Sequence, residues 1–116
     1  MTTTEIDTTP IELGGNIKLN GFRVLDPGSM IIAKKMIGSY VRKYSECCKN
    51  IQEVCVTLKP VHQIENSERY EVNVKLVNNG QVFTADNQED RKPLNLFVVL
   101  DSVLAKVHTE VSKLKT

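Results

Sequence analysis

With 116 residues, 41% of them apolar and 5% aromatic, and with no Trp, the chain can fill one aliphatic core of two packed layers and no second domain. A net charge of +1 excludes the strong basic excess that by itself marks a nucleic-acid binder, and no apolar run approaches the ~20 residues of a membrane span. The start, Met1 to Pro10, is polar and acidic rather than basic then apolar, so no secretion signal is read there and a cytoplasmic protein is expected.

Residues 1–10 are Thr-rich and aperiodic, which predicts a disordered acidic arm ahead of one domain over 11–116. Ile11 and Leu13 alternate with polar residues. After Gly14-Gly15 the alternation resumes at Ile17 and Leu19, which predicts a first strand entered through a bulge. Asp26-Pro27-Gly28-Ser29 joins turn chemistry to helix-capping side chains. From Met30 the period becomes 3.6, predicting an amphipathic helix of about 16 residues that ends near Glu46. Met30, Ala33, Ile37, Tyr40, Val41 and Tyr44 fall on its apolar arc. Lys34, Lys35, Gly38, Ser39, Arg42 and Lys43 fall on the other.

Three strands are predicted next. Val54, Val56 and Leu58 alternate until Lys59-Pro60; Tyr70, Val72, Val74 and Leu76 form a longer run. Asn78-Asn79-Gly80 is a tight-turn signal leading into Gln81 to Thr84. Ile64 to Arg69 and Asp86 to Lys92 read as polar loops. A second helix starts at the N-cap Asn95, with Leu94 placed to staple onto Val99. Leu96, Leu100, Val103, Leu104, Val107, Val111 and Leu114 make its buried stripe. The expected fold is α+β: a two-layer sandwich in β-α-β-β-β-α order, with a four-stranded mixed sheet and both helices on one face.

The charge is unevenly spread. Glu5, Asp7 and Glu12 lie in the first thirteen residues, which hold no Lys or Arg. The remainder carries all fifteen basic residues against eleven acidic ones, a surplus of four. Two helices side by side would then offer one basic plate of Lys34, Lys35, Arg42, Lys43, Lys106, Lys113 and Lys115, with Gly38, Ser39, Ser102 and Thr109 letting a phosphate backbone approach. Solvated helix faces are the ordinary alternative for such residues.

Cys47, Cys48 and Cys55 form no disulfide framework, and with His62 they match no standard zinc spacing. Buried or half-buried thiols are expected, and His62 is expected in an exposed loop beyond the strand. Tyr40 and Tyr44 read as core residues, His108 as a boundary residue and Asp101 as a helix-surface acid. There is no Gly-rich phosphate loop, HExxH or GxSxG motif, so neither an enzyme nor a cofactor or small-molecule substrate is expected.

Residues 51–116 resemble the N-terminal domain of the ribosome hibernation-promoting factors. Val54-Cys55-Val56-Thr57-Leu58-Lys59 is similar to that family's second strand. Asn95-Leu96-Phe97-Val98-Val99-Leu100-Asp101 is similar to its helix start, and Leu104 to Lys115 to its last helix, with Lys106, Lys113 and Lys115 at matching positions. Upstream, Leu19-Asn20-Gly21 and Val24 resemble its first strand and turn. Asn95 stands where the family has an acid and Thr109 where it often has Arg; 47–49 and 89–94 look like insertions. The basic residues of the first helix match only as a face.

The resemblance implies a short-form factor that binds small-subunit rRNA between head and body and obstructs the decoding channel. It would be monomeric off the ribosome. A double-stranded-RNA-binding module and a protein-interaction module without an RNA role are the alternatives. The first lacks its usual Lys cluster, since only Arg91 and Lys92 precede the last helix.

Overall fold

The computed structural model describes residues 11–13, 16–62, 68–87 and 95–115. The elements run β1 (Ile11–Leu13), β2 (Ile17–Asn20), a 3-10 turn (Phe22–Val24), α1 (Pro27–Cys47), β3 (Ile51–His62), β4 (Glu68–Asn78), β5 (Gln81–Asp86), α2 (Leu96–Ser112) and a closing 3-10 turn (Lys113–Lys115). The arm over 1–10, the Leu94 staple, the glycine pair and most of the two predicted loops lie outside the described residues.

The α+β sandwich is as expected. β2 pairs in parallel with β3, and β3, β4 and β5 form an antiparallel meander, giving the four-stranded mixed sheet. One refinement concerns its first strand. The run read as a single strand is two, because β1 folds back antiparallel on β2 with Leu13 opposite Ile17, adding a short fifth strand at the edge. Alternation could not reveal this reversal, since both legs continue the same period of two.

Three boundaries also move. α1 starts at Pro27 rather than Met30, because the Asp26 carboxylate accepts from the Ser29 N–H at 3.1 Å and Pro27 occupies the first helical position. β3 does not close at Lys59-Pro60 but continues to His62, opposite Glu68, so His62 is a strand residue and Glu68-Arg69 belong to β4 rather than to a loop. Beyond Thr57, β3 has no β2 beside it, and a proline is tolerated where one side of a strand is open. Asp86 likewise closes β5.

Both helices cover the same sheet face. Val54, Val56 and Leu58 of β3 and Val72, Val74 and Leu76 of β4 are buried there beneath Ala33, Ile37 and Tyr44 of α1. α2 adds Leu96, Val99, Leu100, Val103, Leu104, Val107 and Val111. Leu114 departs from the expected stripe: it sits in the closing 3-10 turn, 39% exposed, because the tighter winding rotates it off the helical arc. The other sheet face carries Cys55, Thr57, Asn73 and Lys75, and among the described residues no helix lies over it.

Candidate nucleic-acid interface

The helices lie side by side and run in the same direction, since Tyr40 meets Asp101 and Tyr44 meets Leu104. The Tyr40 hydroxyl donates to the Asp101 carboxylate at 2.8 Å and the Tyr44 hydroxyl to the Leu104 carbonyl at 2.7 Å. Tyr44 is fully buried and Tyr40 half-buried. Burial first, then the hydrogen bond and negative charge of Asp101, pushes the Tyr40 phenol up to about 12. Burial, followed by the neighbouring Tyr40, raises Tyr44 further. His108 stands at the same seam, its ring centroid 6.4 Å from that of Tyr44. The bond at Asp101 therefore ties the two helices together rather than closing locally within α2.

This seam fixes which flank of each helix faces its neighbour. On α1, Lys35, Ser39 and Arg42 are exposed on the outer surface, and Gly38 beside them has no heavy atom within 4 Å of where a Cβ would stand. Lys43 is exposed on the side toward α2, its ammonium 4.7 Å from the Tyr40 ring centroid. Lys34 is half-buried on the opposite flank. Glu46 is exposed on the same outer arc, one turn beyond Arg42, and trims the charge of the ridge.

On α2 the arrangement differs from a merged plate. Asp101, Leu104 and His108 occupy the α1 side. At 100° per residue, Lys106 and Lys113 then stand on the far flank, above β5. The Lys106 ammonium donates to the Asp86 carbonyl at 2.9 Å, and Lys113 pairs with Glu110 at 3.3 Å. Between the two basic sites the outer surface of α2 presents Val98, Ser102 and Thr109, all exposed and uncharged. The fold therefore brings Lys35, Arg42 and Lys43 together as a ridge and sets Lys106 and Lys113 apart from it. A helical wheel gives the angle between residues of one helix but not the rotation of that helix against its neighbour. The Lys115 side chain lies outside the described residues.

The cysteines are separated. Cys48 is buried in the core cluster at the end of α1, where burial and the adjacent Cys47 raise its pKa. Cys55 is half-buried on the opposite sheet face, its Sγ accepting from the Asn20 amide at 3.0 Å. Among the described residues no three His, Cys, Asp or Glu side chains gather as a metal site would need. No helix among them is long and apolar enough to cross a membrane.

One residue that pattern reading passed over is Asn87. It is buried, its carboxamide oxygen accepting from the Val72 N–H and its amide donating to the Tyr70 carbonyl, both at 2.8 Å. It replaces with a side chain the next rung of the β4–β5 ladder, and its place in a polar stretch gave no signal of that. Neither a family model nor a curated protein matches the chain.

Proposed function

We propose that the protein is a ribosome-associated factor that docks on small-subunit rRNA and obstructs the decoding channel, with the outer ridge of α1 as its principal contact. The observation that carries this reading is the set Lys35, Arg42 and Lys43, exposed on one 21-residue helix, with Gly38 and Ser39 leaving the helix backbone open between them. A rigid row of cations with small residues interspersed suits phosphates held in a folded RNA groove, where position matters more than base identity. The resemblance of residues 51–116 to hibernation-promoting factors supplies the ribosome as the RNA. Lys34 flanks the ridge on α1, while Lys106 and Lys113 on the far flank of α2 serve as separate secondary contacts.

Sedimentation of a lysate through a low-salt sucrose gradient tests the partner: the protein should travel with small subunits or whole ribosomes. Titration of purified subunits at several salt concentrations tests the ridge. The double variant Lys35→Ala, Arg42→Ala should weaken binding and reduce the log–log salt slope by ~1.5–2 units, one phosphate contact being lost per residue. A protein that stays at the top of the gradient refutes the ribosome as partner. An unchanged slope in the folded double variant refutes the ridge.

A further inference from the structure

The Lys106 bond to Asp86 raises the question of why an exposed helix cation should reach for a strand carbonyl. The hairpin register answers it. Asn79 and Gly80 both have positive φ, 54° and 84°, which defines a two-residue turn of the primed type closed by Asn78 opposite Gln81. The closing pair of such a hairpin exchanges its backbone hydrogen bonds, and the pairs then alternate along the ladder. Gln81, Phe83 and Ala85 therefore bond to β4, while Val82, Thr84 and Asp86 turn their N–H and C=O groups outward. Two further bonds agree with this phase: Lys106 finds the Asp86 carbonyl on the outer side, and Asn87 bonds Val72, opposite the position where the inward rung should recur.

β5 is the last strand of the sheet. Its outer edge borders an open groove of about 620 Å³ between the strand and α2, lined by Val82, Phe83, Ala85, Lys106 and Thr109 among others. We infer that this edge pairs with the β5 edge of a second copy of the chain, and that the Lys106 ammonium holds the pairing in check by occupying the Asp86 carbonyl.

The strand is complementary to itself. Antiparallel pairing about a two-fold axis at Thr84 sets Thr84 against Thr84, Val82 against Asp86 and Phe83 against Ala85. All the outward N–H and C=O groups of Val82, Thr84 and Asp86 are then matched. The half-exposed Phe83 ring enters the groove opposite the small Ala85, large against small on the helix side. Threonine against threonine is a favourable cross-strand pair. The competitor is also explicit, because charged side chains, Lys above all, are a common protection of open sheet edges. A pair of six-residue strands falls well short of the ~1,200–2,000 Å² of a stable interface, so the dimer forms only at concentrations on the order of 100 µM.

Sedimentation equilibrium of the full chain over a concentration series, with amide exchange on the same samples, tests this. The wild-type protein should show a reversible monomer–dimer equilibrium. Its Val82 and Thr84 amides should gain protection as concentration rises, while Phe83, already bonded to β4, should not change. Lys106→Ala should tighten the dimer by about a hundredfold, roughly tenfold for the acceptor freed from a charged donor in each of the two copies. Thr84→Pro should abolish it while leaving the fold intact, because among the described residues the N–H it removes faces away from β4 on the edge strand. Thr84→Pro should also still travel with ribosomes, so loss of pairing and loss of RNA docking are separable. A wild type and a Lys106→Ala variant that are both monomeric at 1 mM overturn the inference, as does a Thr84→Pro variant that dimerises undiminished. Protection of Val82 and Thr84 that appears only when ribosomes are added assigns the edge to a ribosomal partner instead and equally overturns self-pairing.

Discussion

Replacing Gly21 by Ala should be among the most damaging single-methyl changes the protein can suffer. Gly21 leaves β2 with φ 82°, in the left-handed region where a β-carbon costs about 1–2 kcal/mol. A Cβ built there would also fall inside the contact shell of the Leu58 carbonyl oxygen, a backbone atom of β3 that cannot rotate aside. Relief requires the end of β2 to move away from β3, an overpacking cost of about 1–3 kcal/mol. The sum is about 2–5 kcal/mol. Gly80 supplies the control: its φ is 84°, yet nothing lies within 4 Å of a Cβ placed on it. Gly80→Ala should therefore cost only the backbone share, about 1 kcal/mol once the stiffer unfolded chain is allowed for. Gly38, helical and equally open, should move the other way, with Ala stabilising by about 0.5–1 kcal/mol. Urea unfolding with m held common to the variants reads all three. At m of ~1.5 kcal/mol/M, Gly21→Ala lowers the midpoint by about 2 M. Equal midpoint shifts for Gly21→Ala and Gly80→Ala would refute the close-approach argument, leaving only conformation.

Other outcomes follow from the helix seam and the β5 end. Tyr44→Phe, which removes the hydroxyl donor to Leu104 without opening a cavity, should cost about 1 kcal/mol in the same urea assay. Both seam phenols are raised above the ordinary value of 10, so between pH 10 and 12 the unfolded chain releases protons that the folded one keeps. Stability should accordingly fall as pH rises through that window and be flat just below it, with Tyr44→Phe reducing the loss. A stability profile that rises or stays level from pH 10 to 12 would contradict the seam. Asn87→Ala should orphan the buried Val72 N–H and cost about 1–3 kcal/mol, with faster amide exchange at Val72 as the local signature.

The elements that periodicity could reach were those whose side chains face either core or water. The apolar arcs of both helices and the alternating runs of β3 and β4 translate directly into burial, and Asn95 caps α2 by accepting from the Phe97 N–H at 2.7 Å. What escaped was set by pairs distant in sequence. The reversal between β1 and β2 leaves no mark on alternation, and Pro60 is acceptable only because β2 ends short of it. The candidate surface divided for the same reason. Lys35 and Arg42 could be placed on one arc by counting, but the flank of α2 that carries Lys106 depends on Tyr40 and Tyr44, sixty-one and sixty residues from their partners.

The position of α2 in the chain has a consequence in time. This helix brings seven buried side chains, and it follows every strand it covers. As the polypeptide is synthesised, α1 is already present when the β3–β5 meander emerges, but Val72, Val74 and Leu76 of β4 still lack α2, the helix that packs on that strand. At ~5–20 residues per second, the stretch from Asp86 to Ser112 takes roughly 1–5 s to make. Hairpins close in microseconds, so the half-covered sheet face has ample time to form and to meet other nascent chains before the rest of its cover exists. The domain is thus committed to its native state by its last helix. A stalled chain ending before Leu96 should be held by chaperones or aggregate, whereas one ending beyond Ser112 should resist protease once clear of the ribosome.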